Sequence, residues 1–160
     1  MAVGGYPHML IFGLGNPDRC DDGIGHYCVE NIVIRLQSLA TVPLVVEAKA
    51  IFHLSIDELE TAARFPQIFV FDASMDELLT DFSYQQVKPL PSQQFTTHLL
   101  TPEEFLYSII RLFDRQPAMH LISVKGYRWE IGTMLSAQAK LNADKAIAFF
   151  FDYILKTPVK

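Results

Sequence analysis

Cysteine is scarce in this chain of 160 residues: only Cys20 and Cys28 occur, eight positions apart and outside any C-x-x-C pattern. That usage excludes a disulfide framework or a cysteine-based zinc site and fits thiols kept reduced. An excess of positive charge is also missing, since 13 Lys and Arg stand against 18 Asp and Glu for a formal net charge of −5. Such a balance lacks the electrostatic footprint of a nucleic-acid binder. Long apolar runs are absent too; no stretch approaches the roughly 18 uninterrupted apolar residues of a bilayer span. Met1 to Asn16 lacks a basic start followed by a long apolar segment, so the expectation is a soluble, unsecreted, cytoplasmic protein with no membrane partner. What remains is a chain that is 50% hydrophobic, enough to cover one core, with no internal repeat, low-complexity tract or dividing linker. One domain over residues 1–160 is expected, as a monomer.

Apolar runs and helical periodicities alternate along the chain. Met9-Leu-Ile-Phe-Gly13 is a short apolar run ending in glycine, as a buried strand entering a tight turn would be. Ile24, Tyr27, Cys28, Ile32, Leu36 and Leu39 then recur at helical spacing, predicting an amphipathic helix over 23–39. Val42 to Ala48 reads as a second strand, and Ser55 with Glu58 as a capping box opening a short helix that Pro66 ends. Ile68-Phe-Val-Phe71 is a third strand, apolar on both faces, with Asp72 at its carboxyl end. Phe82, Tyr84 and Val87 suggest an edge strand, where Pro89 is tolerated. Thr101-Pro-Glu-Glu104 starts a helix of about three turns, because threonine caps, proline suits the first turn and Glu104 reaches back. Met119 to Val124 supplies a further strand, and Ser136 caps a last helix carrying Leu141, Ala146, Ile147, Phe150, Phe151 and Ile154. This alternation predicts an α/β fold: a three-layer α/β/α sandwich around a mostly parallel sheet.

Four of the eight glycines fall in Gly13-Leu-Gly-Asn-Pro-Asp-Arg-Cys-Asp-Asp-Gly-Ile-Gly25, between the first strand and the first helix. In a doubly wound sheet, that loop lies where ligands bind. A dinucleotide site is disfavoured, because G-x-G-x-x-G needs glycine where Asp18 stands, and Asp18, Asp21 and Asp22 repel a pyrophosphate. Carboxylates at a helix start also cap N–H groups and offset the dipole, the reading favoured for Asp21. Asp22 differs because Asp72 ends a strand that a parallel sheet brings to the same edge. His98, before the capped helix, is the third candidate. Two carboxylates and one imidazole suit a borderline divalent ion such as nickel or zinc, although a strand-end Asp is often a loop cap and a lone His is more often structural.

These residues resemble a known family. Gly13-x-Gly-Asn-Pro-x-x-x-Asp-Asp-Gly-x-Gly25, Phe69-Val-Phe-Asp72-Ala, His98 ahead of a helix, and Val124-x-Gly126, Glu130-x-Gly132 and Leu135-Ser136 look like the hydrogenase maturation proteases, collinearly over nearly the whole chain. The resemblance implies a twisted, mostly parallel sheet of five strands between helices. It implies an endopeptidase that removes the C-terminal extension of the [NiFe] hydrogenase large-subunit precursor once nickel is inserted, with Ni(2+) supplied by that precursor. Matched motif to motif, it places the metal-binding and catalytic positions at Asp22, Asp72 and His98. Two departures stand out: Cys20 occupies the family's usual glycine before the Asp-Asp pair, and Glu47 to Leu54 replaces a Gly-Thr element after strand two.

Other readings follow from the same residues. Cys20 with His53 or His98 would give a cysteine protease, but no local Cys–His signature accompanies them, and Cys28 belongs to an apolar helix face. His8, His26 and His120 read as surface or packing residues; Arg19, Lys49 and Arg128 read as solvated charges, and Trp129 either lines the cleft or packs. Gly13-Leu-Gly-Asn-Pro17 also resembles the opening of peptidyl-tRNA hydrolases, yet Asp21-Asp-Gly-Ile-Gly25 and the acidic balance disagree with a tRNA esterase. A noncatalytic chaperone that binds the precursor or its nickel could use the same three ligands.

Overall fold

The computed structural model describes residues 8–39, 45–92 and 99–157. Its centre is a five-stranded sheet in the order β2-β1-β3-β5-β4, built from β1 (His8–Leu14), β2 (Val45–Ile51), β3 (Gln67–Ser74), β4 (Phe82–Gln86) and β5 (Ala118–Lys125). β1 pairs in parallel with β2 and β3, β3 in parallel with β5, and only β4 runs antiparallel. The unbroken apolar runs of β1 and β3 have their reason here, because both faces of these strands are covered. On one face Met9, Ile11, Phe69 and Phe71 pack against α1 (Ile24–Ser38) and α4 (Ala137–Lys156). On the other, Leu10, Phe12, Ile68 and Val70 pack against α2 (Leu59–Ala62) and α3 (Pro102–Phe113). The three-layer α/β/α sandwich expected from the sequence is therefore present.

Local chemistry sets the helix boundaries. At α3 the capping box forms in both directions: Thr101 Oγ1 accepts from the Glu104 N–H at 3.2 Å, and Glu104 Oε2 accepts from the Thr101 N–H at 3.0 Å. Ser136 caps α4 by accepting from the Ala139 N–H. The box expected at Ser55 and Glu58 does not form; Ser55 makes no side-chain cap, and Glu58 Oε2 instead pairs with Lys49 Nζ at 3.0 Å. A 3-10 turn, Ile56–Glu58, leads into α2 there. β2 runs three residues beyond the expected Ala48, to Ile51, because it follows β1 in register as far as Leu14↔Ile51; residues 42–44 of the expected strand lie outside the described residues. Leu141 is a second correction, since it faces solvent. Asn142 takes the buried position beside it, donating its amide to Lys125 O and Tyr127 Oη.

Strand order determines where a site can lie. From β1 the chain moves outward to β2 and then returns to place β3 on the other side of β1, so the order reverses between β1 and β3. The crevice beyond the carboxyl ends of strands at such a switch point is the usual ligand position in open α/β sheets. Here Gly13 lies opposite Phe71, which brings the glycine loop beside Asp72.

Candidate active site

The glycine loop folds back tightly on its own strand. A side chain at Gly25 would strike the backbone of Leu14 and Phe71, so glycine there lets the start of α1 sit on the strand ends. Gly15, at φ +122°, turns the chain where its N–H reaches the Ile51 and Phe52 carbonyls, each at 3.1 Å. Asp22 then lies in a 3-10 turn, Cys20–Gly23, half-buried, with one carboxylate oxygen accepting from the Asn16 N–H at 2.8 Å. Cys20 itself is buried and takes φ 46°, in the left-handed region. That conformation is the physical reason glycine suits this position, and here a cysteine accepts the cost.

Asp72 follows Phe71 at the end of β3 and is also half-buried. Burial lifts its carboxyl to about 6; the Ala73 N–H works against the rise, and the negative charge of Asp22 adds to it. Two carboxylates thus share the switch point. The described residues contain no ion pair for either one.

Asp21 has a different role from its neighbour. Its fully buried carboxylate accepts from the backbone N–H groups of Tyr127 (2.7 Å), Arg128 (2.9 Å) and Ser136 (2.7 Å) and from the Ser136 hydroxyl (2.8 Å). Burial alone would raise this carboxyl, but the bonds from Ser136, Tyr127 and Arg128 together hold it below the ordinary range. Asp21 thus satisfies N–H groups, as expected, but those of the β5–α4 loop and not of the helix that follows it. Backbone bonds reinforce the clamp, with Cys20 N–H donating to Gly132 O at 2.7 Å and Gly132 N–H to Asp18 O at 2.9 Å. Only the Asp-Asp pair in a turn hinted at this role; partners more than a hundred positions away leave no local signal.

The other candidates separate. His98 lies outside the described residues; the described chain resumes at Leu99, bridged to Ser55 beyond the end of β2. Among the described residues, no group of three His, Cys, Asp or Glu side chains could hold a metal ion. His53 is exposed, and half-buried His26 sets its Nε2 3.1 Å from Ile51 O. His120 is enclosed, with Nδ1 2.9 Å from the Tyr84 hydroxyl and Nε2 2.9 Å from Gln67 Oε1, and burial lowers its pKa to about 4. Cys28 is a core residue whose thiol burial pushes far up, beyond use as a nucleophile. Lys49 and Arg128 are paired with Glu58 and Glu130, Arg19 donates to Trp129 O at 3.2 Å, and the Trp129 ring packs over Gly126.

The fold and its loops define an α/β/α protein with a carboxylate pair at the switch point, and solved structures share that fold. The chain is similar to the hydrogenase maturating endopeptidase HybD from E. coli, with a TM-score of 0.69 and 16% identity over 93% of each chain. It is likewise similar to the [NiFe] hydrogenase maturation protease HycI from Thermococcus kodakarensis KOD1, with a TM-score of 0.67 and 18% identity over 96% of this chain and 95% of that one. A further likeness is to the [NiFe] hydrogenase maturation protease HybD from Thermococcus kodakarensis, with a TM-score of 0.61 and 16% identity over 91% of this chain and 98% of that one. No family model and no curated protein matches the chain by sequence. The protein therefore has the fold of the solved hydrogenase maturation proteases over nearly its whole length. No helix among the described residues is long and apolar enough to cross a membrane.

Proposed function

We propose that this protein is an endopeptidase that removes the C-terminal extension of a nickel-loaded [NiFe] hydrogenase large-subunit precursor. The observation that carries this reading is the convergence of Asp22 and Asp72 at the β1/β3 switch point of a fold shared with solved hydrogenase maturation endopeptidases. Among the described residues, the motifs in which the sequence resembles that family lie in the glycine loop, in β3 up to Asp72 and in the β5–α4 loop. Nickel enters as part of the substrate, carried by the precursor. The donor chemistry suits that role: two half-buried carboxylates repel each other here, and a divalent cation brought between them relieves the repulsion.

In this reading Asp22 and Asp72, with His98 as the third group taken from the resemblance, add ligands to the precursor's ion, so that only a metal-loaded precursor docks productively. One carboxylate oxygen takes a proton from the attacking water as its oxygen bonds to the scissile carbonyl carbon. The C–N bond then breaks, and the departing nitrogen takes up a proton. Asp21 touches none of these atoms; it holds in place the loop that carries Asp22.

Intact-mass spectrometry of a nickel-loaded precursor incubated with the protein tests the proposal, alongside a nickel-free precursor and the Asp72→Asn variant. Loss of a C-terminal peptide in the nickel-loaded, wild-type reaction alone is expected. An unchanged mass with a stable complex would replace the protease by a noncatalytic precursor-binding protein.

A further inference from the structure

Large apolar side chains are ordinarily withdrawn from water, yet the loops at the carboxyl edge of this sheet display several. Leu78 is 93% exposed and Ile131 87%, and Met75, Met134, Phe52 and Ile56 are exposed beside them on the loops after β3, β5 and β2. Exposed Ile34, Leu141 and Leu155 are single residues on helix surfaces and need no explanation. Those on the edge surround Asp22 and Asp72 on both sides.

Their loops are not free to fold the apolar groups inward. Asp76 Oδ1 accepts from the Leu78 N–H at 2.9 Å, Ser74 Oγ accepts from the Asp76 N–H at 3.1 Å, and Lys125 Nζ donates to Glu77 O at 3.0 Å. On the other loop, the Asp21 clamp and the Gly132 bonds hold the segment that carries Ile131 and Met134. A rigid loop that keeps an apolar side chain in water is preorganised for contact and loses little entropy on binding.

Charge identifies the kind of partner. Among the described residues Asp18, Asp22, Asp57, Asp72, Asp76 and Glu77 on this edge make no ion pair, and neither do Arg19 and Lys125, which donate to the backbone carbonyls of Trp129 and Glu77, whereas Lys49 and Arg128 are already neutralised by Glu58 and Glu130. The unpaired acids outnumber the unpaired cations, so the balance of charge around the apolar rim is negative. We infer that the rim of Phe52, Ile56, Met75, Leu78, Ile131 and Met134 docks the folded precursor through a surface segment that combines apolar side chains with lysine or arginine. This inference rests on the proposed function, because it takes the cleaved precursor as the occupant. It places substrate selection on a surface outside the two carboxylates, so that affinity and cleavage are set by different residues.

The test is a comparison of precursor binding and cleavage by wild type, a Leu78→Ser/Ile131→Ser double variant and Glu77→Lys, with nickel-loaded [NiFe] hydrogenase large-subunit precursor as the probe. The double variant is expected to raise KM about tenfold or more while kcat stays within about twofold, the signature of lost uniform binding. Glu77→Lys is expected to slow association and flatten its salt dependence. Unchanged Kd and KM in the double variant, with normal wild-type cleavage, would overturn the docking surface and leave the protease standing. If wild type binds without cleaving, the protease reading fails, and the docking surface stands or falls with weaker or unchanged binding by the double variant. If wild type neither binds nor cleaves, both are overturned. Thermal melting of each variant checks that the exposed substitutions leave the fold intact.

Discussion

At the amino end of the sheet, His120 is enclosed between Tyr84 and Gln67, and a neutral ring that donates from Nε2 to Gln67 Oε1 and accepts at Nδ1 from Tyr84 uses both nitrogens. Phe69 stacks on it with ring centroids 4.5 Å apart. At the carboxyl end, half-buried Asp72 lies beside another carboxylate and has no ion-pair partner among the described residues. Both are polar centres withdrawn from water, but only the first is complete within the chain. A complete network contributes stability and specificity, whereas an incomplete one destabilises the free protein and is relieved by something that binds. Asp21 belongs with His120 in this comparison although it lies next to Asp22 in sequence, because its carboxylate has four donors of its own.

The sharpest way to break the comparison is Asp72→Asn. Cleavage of the precursor should fall about a thousandfold, roughly 4 kcal/mol of transition-state stabilisation, while the metal-free protein becomes no less stable, because a half-buried charge repelled by its neighbour has gone. A variant that cleaves normally, or one that unfolds, would place Asp72 with the structural group. Asp21→Asn should do the opposite. The amide nitrogen that replaces one acceptor oxygen faces the Tyr127, Arg128 or Ser136 donors, and a loss of about 3 kcal/mol in urea unfolding is expected. Wild-type stability in that variant would show that the clamp does not hold the loop.

His120 gives a smaller, pH-dependent effect. Its folded pKa of about 4 lies below the value of 6.5 for a free histidine, so the unfolded chain binds the proton first as pH falls. The contribution is complete above pH 6.5, declines between 6.5 and about 4, and amounts to a loss of about 2 kcal/mol between pH 7 and pH 5. Urea unfolding across that range should show the decline in wild type and a flatter dependence in His120→Asn. Equal slopes for the two proteins would remove His120 from the acid response.

Much of the fold was legible because its signals are local. β1, β3 and β5 are apolar runs between turn residues, and Thr101-Pro-Glu-Glu104 contains its own capping partners. Asp22 and Asp72 were legible as a pair because parallel strands carry their ends to one edge. What escaped depends on distant partners. Ser55 and Glu58 have the right spacing for a capping box, but Lys49, on a neighbouring strand, claims Glu58. Leu141 has the right hydrophobicity for the core, but a hydrogen-bonded Asn142 turns the buried face of α4 away from it. Asp21 looked like its neighbour and acts differently because Tyr127 and Ser136 come to it through the tertiary fold.

The smallest expected effect separates the two ends once more, through the only non-glycine residues with positive φ among the described ones. Asp114, at φ 52°, ends α3 in the open, its N–H donating to Ile110 O at 3.2 Å. Glycine there keeps the bond, removes the steric cost and loses no packing, so Asp114→Gly should stabilise by about 0.5–1 kcal/mol in urea unfolding. Cys20, at φ 46°, is in the same region of backbone space, but its thiol fills buried space against Gly132. Relief of the backbone in Cys20→Gly is offset by the loss of that contact, and the net change should stay near zero. A clear gain from Cys20→Gly would mean that the thiol contributes little packing and that the turn holding Asp22 carries strain with nothing to offset it. A clear loss would mean that the sulfur, rather than the backbone, fixes the turn against the β5–α4 loop, and Cys20 would then join Asp21 as part of the support for Asp22.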